Sequence, residues 1–318
     1  MKKRKYLFII LIALALFATT FSVIYLSRGS ETYKVTTIKS SYNVLSLTTE
    51  TDEIVISLYS NNKKCDLVNK DKVANCSICD LGEDNVFKLE LNEVYPSGNI
   101  LQISGEDFYE YNFRFTFKGE FKEELKATIE KAYLKIEMKE KEIKLCIGSL
   151  SYYKVLNYSD ENNSLDLVCL KAIVNELDEE KSIVGVVIGL KNNSKSDLTI
   201  NNINLLDINL KAANGEVKII SEVPQSTSDI NTLLGYEYNY KELVNNNELS
   251  IQIDSNETKY LLIPLKRVGE IYTNRFGLEI DYLFRGDEKT YYVDDFLYFK
   301  SNQNLKMEDF DIFTYENN

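Results

Sequence analysis

Apolar and polar residues alternate with a period of two through most of the chain beyond Ser30. The segments EIVISLYS (53–60), VFKLELNEV (86–94) and YNFRFTFKGEF (111–121) each place apolar side chains at every second position, so that they share one face of a strand. In AYLKIEM, Ala132, Leu134, Ile136 and Met138 form one face while Tyr133, Lys135 and Glu137 form the other. The polar KEKE (139–142) turns the chain into IKLCIG, where Ile143, Leu145 and Ile147 resume an apolar face, so the pair reads as a hairpin. Just upstream, Leu125, Ile129 and Leu134 fit a helical stripe only loosely, and the strand is placed from about Ala132.

A second series follows: LDLVCLKAIV (165–174), SIVGVVIGLKNNSKSDLTINNINLLDI (182–208), VKII (217–220), LSIQI (249–253), YLLIPL (260–265) and a long hairpin at 276–300. Between these runs Asp229 is suited to cap a short helix. Many short strands with polar turns predict an all-β protein of two β-sandwich domains, 31–142 and 143–300, followed by an acidic tail, 301–318.

The first thirty residues break this pattern. Lys2, Lys3, Arg4 and Lys5 precede an uncharged run from Tyr6 to Leu26. At about 1.5 Å per residue such a helix reaches ~30 Å, the thickness of a hydrocarbon core. The basic cluster is the topology signal that holds the N-terminus inside. The expectation is a single-pass cell-membrane protein, residues 1–30 forming a basic stub and transmembrane anchor, with the bulk of the chain extracytoplasmic. A cleaved signal peptide is the rival reading, since Ala13, Ala15 and Ala18 lie in the run; its apolar region is usually shorter.

Five of the 37 basic residues flank that run and all 49 acidic ones follow it, so the remainder is strongly acidic. Such a surface does not seek nucleic acid. The 22 Tyr and 15 Phe favour sheet surfaces, and the complete lack of His removes the usual general base and the commonest metal ligand.

The segment VGVVIGLKNNSKSDLTINNINLLD (184–207) resembles the central hairpin of telokin-like, Ig-like domains found outside the membrane in Gram-positive bacteria. Leu190, Lys191, Asn192, Asn193 and Ser194 match that family's turn, in which a polar residue closes the hairpin. The resemblance covers one strand pair and implies an exported binding or accessory module with an Ig-like sandwich and no shared catalytic residues.

Several short motifs invite chemical readings. Cys76 and Cys79 have the spacing of half a zinc site, but a second pair is lacking, and residues three apart in a strand face opposite ways. No metal is assigned. An exterior location permits disulfides, for which Cys65 with Cys76, and Cys146 with Cys169, are the candidates; five cysteines leave one over, and free, partly buried thiols are an equal alternative. Asp160, Asn162, Ser164 and Asp166 alternate as calcium ligands do, but Leu165 stands where the loop glycine belongs. Arg285–Asp287 spells RGD, at a place where a hairpin needs a glycine-containing turn.

Without His, a nucleophile could be served by Lys or by paired carboxylates, and no sequence motif marks either. No catalytic residue and no cofactor is assigned. The reading is a non-enzymatic binding or accessory module with a protein or envelope partner, in one form a subunit of a cell-envelope or transport complex. Tyr236, Tyr238, Tyr240, Tyr291, Tyr292 and Tyr298 are its candidate aromatic contacts. The alternative is a surface carbohydrate-binding protein or a carboxylate-based hydrolase.

Overall fold

The computed structural model describes residues 32–47, 52–119, 123–139, 141–156, 158, 164–177, 180–225, 229–239, 249–269, 273, 275–297 and 305–316. The anchor from Tyr6 to Leu26 and the signal Lys2–Lys5 lie outside them. Among the described residues no helix is long and apolar enough to cross a membrane. They form an all-β structure with one α-helix.

Nine strands make the first unit: β1 (Thr32–Ile38), β2 (Ser40–Ser46), β3 (Glu53–Ser60), β4 (Val73–Cys79), β5 (Val86–Ile103), β6 (Glu106–Phe117), β7 (Leu125–Met138), β8 (Glu142–Lys154) and the distant β18 (Phe310–Glu316). They lie in one sheet, in the order β18-β1-β3-β6-β5-β4-β7-β8-β2, and every pairing is antiparallel except β2 with β8. This is one sheet curled around one core rather than the two facing sheets expected. Ile56, Phe113, Phe115, Leu134, Ile136, Leu145 and Tyr152 all point into the same interior.

The curl brings opposite edges together. Only Lys39 separates β1 from β2, yet they lie near opposite ends of the strand order. The early half of β8 has no β2 partner and is met instead by side chains from the far edge. Thr37 Oγ1 donates to the Cys146 carbonyl at 2.9 Å, and the Cys146 N–H donates to Asp311 Oδ2 at 2.5 Å. Where β2 begins, Gly148 has φ +110°, and its bare α-carbon lets the Ser40 backbone pass.

These strands move two expected boundaries. The hairpin of β7 and β8 lies wholly inside the first sheet, so the division at 142/143 cuts through a paired unit. The tail at 301–318 contains β18, which pairs with β1 over seven residues, Thr32 opposite Glu316 to Ile38 opposite Phe310. β7 also starts seven residues before Ala132. A bulge between Ile129 and Ala132 interrupts the alternation there, which hid a strand already under way.

The second unit has two facing sheets. One contains β9 (Leu165–Leu177), β10 (Glu180–Asn192), β12 (Leu210–Ala212), β13 (Lys218–Ile220) and β15 (Thr258–Arg267); the other contains β11 (Leu198–Leu206), β14 (Ile251–Ile253), β16 (Arg275–Phe284) and β17 (Asp287–Leu297). Val186, Ile188, Leu261 and Ile263 from the first sheet meet Ile200, Ile203, Leu278 and Ile280 from the second in a shared core. The helix α1 (Ile230–Leu234) covers the outer face through Ile230 and Leu234, capped as expected by Asp229, whose carboxylate accepts the Asn231 N–H at 2.8 Å. Gly235 ends it with φ +76°.

Candidate binding face

The strands of the sandwich run between two ends. At one end Asp207 and Thr273 meet the first unit. At the other, the turns after β10, β14 and β16 come together around Asn192.

Asn192 is fully buried although it lies beside exposed Asn193 and Lys195. Its Nδ2 donates to the carbonyls of Ser196, Ile253 and Asp254 at 2.9, 3.0 and 3.1 Å. Its Oδ1 accepts from the N–H and hydroxyl of Ser194, and its own N–H donates to the Glu257 carbonyl. One amide thus supplies what the backbone of two turns lacks, the closing role that the turn's resemblance implied. Around it, Ser255 Oγ donates to the Ser194 carbonyl and the Ser255 N–H to Asp197 Oδ1. Asn193 donates from its backbone to the Ser164 carbonyl and from its amide to Asp166. Asp166 belongs to the calcium-like alternation; Asp160 and Asn162 lie outside the described residues.

The RGD tripeptide completes this face as a turn, as expected. Phe284 pairs with Asp287, leaving Arg285 and Gly286 as a two-residue connection with φ of +55° and +91°. The Arg285 guanidinium lies over the Phe284 ring, and its Nε donates to Ser196 Oγ at 3.1 Å. The charge is folded back onto the neighbouring turn. The result is a polar, mixed-charge platform of three turns on rigid strands, suited to hydrogen bonding with a partner rather than to burying a small molecule.

The cysteines take no part in it. None of the five is in a disulfide. Cys76 points into the first core while Cys79 lies on the opposite face, as strand geometry requires. Burial, reinforced by Glu137, pushes the Cys76 thiol up to about 12, and burial also raises Cys79 against the pull of Lys144. Thiols so disposed are poor nucleophiles. Neither candidate disulfide is present. Cys146 and Cys169 belong to different sheets, on β8 and β9, and Cys65 and Cys76 are both unbridged within the first core. No group of three or more Cys, Asp or Glu side chains among the described residues is arranged to hold a metal.

The structure does assemble one serine–lysine pair that no motif marked. Lys154 Nζ lies 2.5 Å from Ser46 Oγ and 3.4 Å from Asp52 Oδ2, and the Tyr152 hydroxyl donates to the same Asp52 oxygen at 2.5 Å. The signal was positional: Leu150, Tyr152 and Lys154 continue one inward face, so a lysine was bound to end in the core. The ammonium donates to Ser46, whereas an activated serine gives its proton to the base. Both side chains are buried, and the Tyr152 ring beside them packs against Phe87 and Phe117.

The candidate tyrosines divide. Tyr238 is buried under α1 and donates its hydroxyl to the Leu265 carbonyl; Tyr291 packs against the sandwich core. Tyr236 is exposed, with the Lys218 ammonium 4.9 Å from its ring centre and its hydroxyl on Glu216. Tyr292 meets Tyr158 edge to face at 5.4 Å, and the Tyr158 hydroxyl also reaches the Tyr292 backbone. Tyr240 and Tyr298 lie outside the described residues.

Compared with known proteins, the sequence matches no family model and no curated protein. Among solved structures it is similar to a protein of unknown function from Porphyromonas gingivalis, at 12% identity over 84% of this chain and 100% of that one, with a TM-score of 0.22. It is also similar to the C-terminal domain of the AgI/II polypeptide BspA of Streptococcus agalactiae, at 9% identity over 81% and 98%, TM-score 0.20. A third is the C-terminal domain of the antigen I/II-family protein AspA of Streptococcus pyogenes, at 9% over 82% and 98%, TM-score 0.19.

Proposed function

We propose that the chain is a membrane-anchored, extracytoplasmic, non-enzymatic binding or accessory module whose partner is a protein or envelope component, and that its second unit is an Ig-like sandwich. The observation that carries this reading is the Asn192 platform: at the end of the sandwich remote from the first unit, one buried amide holds two exposed polar turns, and Arg285 ties a third to them through Ser196. Loops fixed on a rigid sandwich are ordinary recognition surfaces. The basic cluster and apolar run before Thr32 support the anchor.

The alternative, a carbohydrate-binding protein or a carboxylate-based hydrolase, would rest on an acid pair such as Glu279 and Asp281. Glu279 and Asp281 share the outer face of β16. Their oxygens are already engaged, Glu279 by Lys126 at 2.8 Å and Asp281 by Asn202 and Thr290 at 3.1 and 2.8 Å. Carboxylates so occupied are poorly placed for proton transfer.

The test is crosslinking on living cells through a photoreactive residue at Lys195 or Asn256, followed by mass spectrometry. Recovery of a membrane or envelope protein, lost when the residue is placed on β5 instead, is the expected result. Hydrolysis of cell-wall glycan by the purified protein, abolished by Glu279→Gln or Asp281→Asn, would sink the proposal.

A further inference from the structure

The two units meet through polar side chains, and Asp207 is at the centre. It follows β11 and is 5% exposed. Its Oδ2 accepts from Ser41 Oγ at 2.8 Å, Asn43 Nδ2 at 2.6 Å and Thr273 Oγ1 at 3.0 Å; its Oδ1 accepts from the N–H groups of Asn209 and Leu210 at 2.6 and 2.7 Å. Two of these donors, Ser41 and Asn43, belong to the edge strand β2 of the first unit. Asn209 reaches back to Ser41 Oγ and Ser149 Oγ at 3.1 and 3.0 Å, and Asn43 also donates to the Arg275 carbonyl at 2.6 Å. Ser41 and Thr273 form an isolated parallel bridge between the units.

The contact has the composition of a separable surface. Ser41, Asn43, Ser149, Asp207, Asn209 and Thr273 are all buried in it, Ser151 is buried beside Asn43 on β8, and all are polar. The apolar part includes Leu45, which lies against the backbone of Gly277. The network is also incomplete. Asn43 Oδ1 and Ser151 Oγ, register partners on β2 and β8, find no hydrogen-bond partner among the described residues. Reversing the Asn43 amide would not help, because its oxygen would then face the Asp207 carboxylate and the Arg275 carbonyl. A half-satisfied polar contact gains water when it opens, whereas an apolar one loses by opening.

We infer that this junction is a latch: a polar contact centred on Asp207 that fixes one orientation of the two units and can release them with both apolar cores intact. The Lys126–Glu279 ion pair, 2.8 Å across the same contact, is a second fastening on its solvent side. Each unit keeps its own core and its own sheets when the latch is open, so the two orientations differ only at this surface.

Hydrogen exchange read by mass spectrometry on the full-length protein in detergent tests this. In the unaltered chain under increasing urea, peptides covering 40–46 and 205–213 are expected to open before those of β6 and β10. Asp207→Asn keeps the shape but replaces one acceptor oxygen by a donor. It should speed exchange in the junction peptides by at least about tenfold, the factor one lost charge-assisted hydrogen bond represents, while β6 and β10 stay unchanged. Thr273→Val, a milder change, should shift the same peptides less. Junction peptides that open together with β6 and β10 would overturn the inference, because the contact would then belong to one cooperative fold. So would an Asp207→Asn protein whose junction exchanges as slowly as the original. Should Asp207→Asn not fold, the urea order in the unaltered chain and the Thr273→Val shift decide by the same two criteria.

Discussion

A β-carbon on Gly148 would stand 2.1 Å from the carbonyl oxygen of Ser40, and its nitrogen would be hardly farther, at 2.6 Å. The contact is with backbone on both sides, so no side chain can swing away to relieve it. At φ +110° the position is also one that residues other than glycine rarely adopt. Gly148→Ala should therefore cost about 2–4 kcal/mol by forcing β2 away from β8. Urea unfolding of the two proteins side by side measures it; a midpoint unchanged within error would show that β2 docks differently.

Asn192→Ala leaves the carbonyls of Ser196, Ile253 and Asp254 without their shared donor. Buried acceptors stripped of partners cost about 1–3 kcal/mol, and part of this is recovered if water enters. The expected signature is a loss of ~2 kcal/mol, together with faster hydrogen exchange confined to 193–197 and 254–257. Exchange spread evenly over the sandwich would mean that Asn192 serves the core more than the platform.

Lys154 and Asp52 should show the asymmetry of buried ion pairs. Lys154→Met alone strands a carboxylate and is expected to cost about 3 kcal/mol. Adding Asp52→Asn should return at least ~1 kcal/mol of it, because the stranded charge is removed. A double variant no more stable than the single one would show that Lys154 acts through packing alone.

Acid should weaken the first unit through Glu110. Burial alone would raise this carboxyl's pKa, but hydrogen bonds from Ser97, Asn99 and Tyr59 outweigh it and hold the value below the ordinary range. A lowered folded pKa means that the stabilisation is present above the unfolded value near 4.3 and is lost as pH falls through the folded value. The urea midpoint should thus decline below about pH 5 in the parent, and decline less steeply in Glu110→Gln. Parallel pH profiles for the two proteins would rule Glu110 out as the cause.

How far the fold can be read from the sequence depended on whether a pairing was local. β3 occupies Glu53–Ser60, the span its alternation marks, and the hairpin of β16 and β17 turns at Arg285–Gly286 as its composition requires. The parallel pairing of β2 with β8 joins residues about a hundred positions apart, and nothing in either segment names the other. That is why the hairpin of β7 and β8 was read as ending one unit and opening the next. β18 was hidden for a related reason. Phe310 and Phe313 both turn toward apolar neighbours, but they are three positions apart and so break the period of two. The turn after β10 was legible because NNSKSD carries its own turn chemistry, whereas its meeting with the turns after β14 and β16 was not. Asp207 was not, since one aspartate among asparagines looks like any solvated loop until its five donors are seen.

The pairing of β1 with β18 makes the order of synthesis matter. The sandwich strands all lie within 165–297 and can pair as soon as they emerge, whereas the nine-stranded sheet closes only when 310–316 arrive. Until then β1 waits with one edge bare, and the closure spans nearly the whole chain, the kind of non-local contact that forms slowly. A chain deprived of 310–316 would keep every strand of its sandwich and still carry β1 with a bare edge, and an unpaired edge recruits other chains.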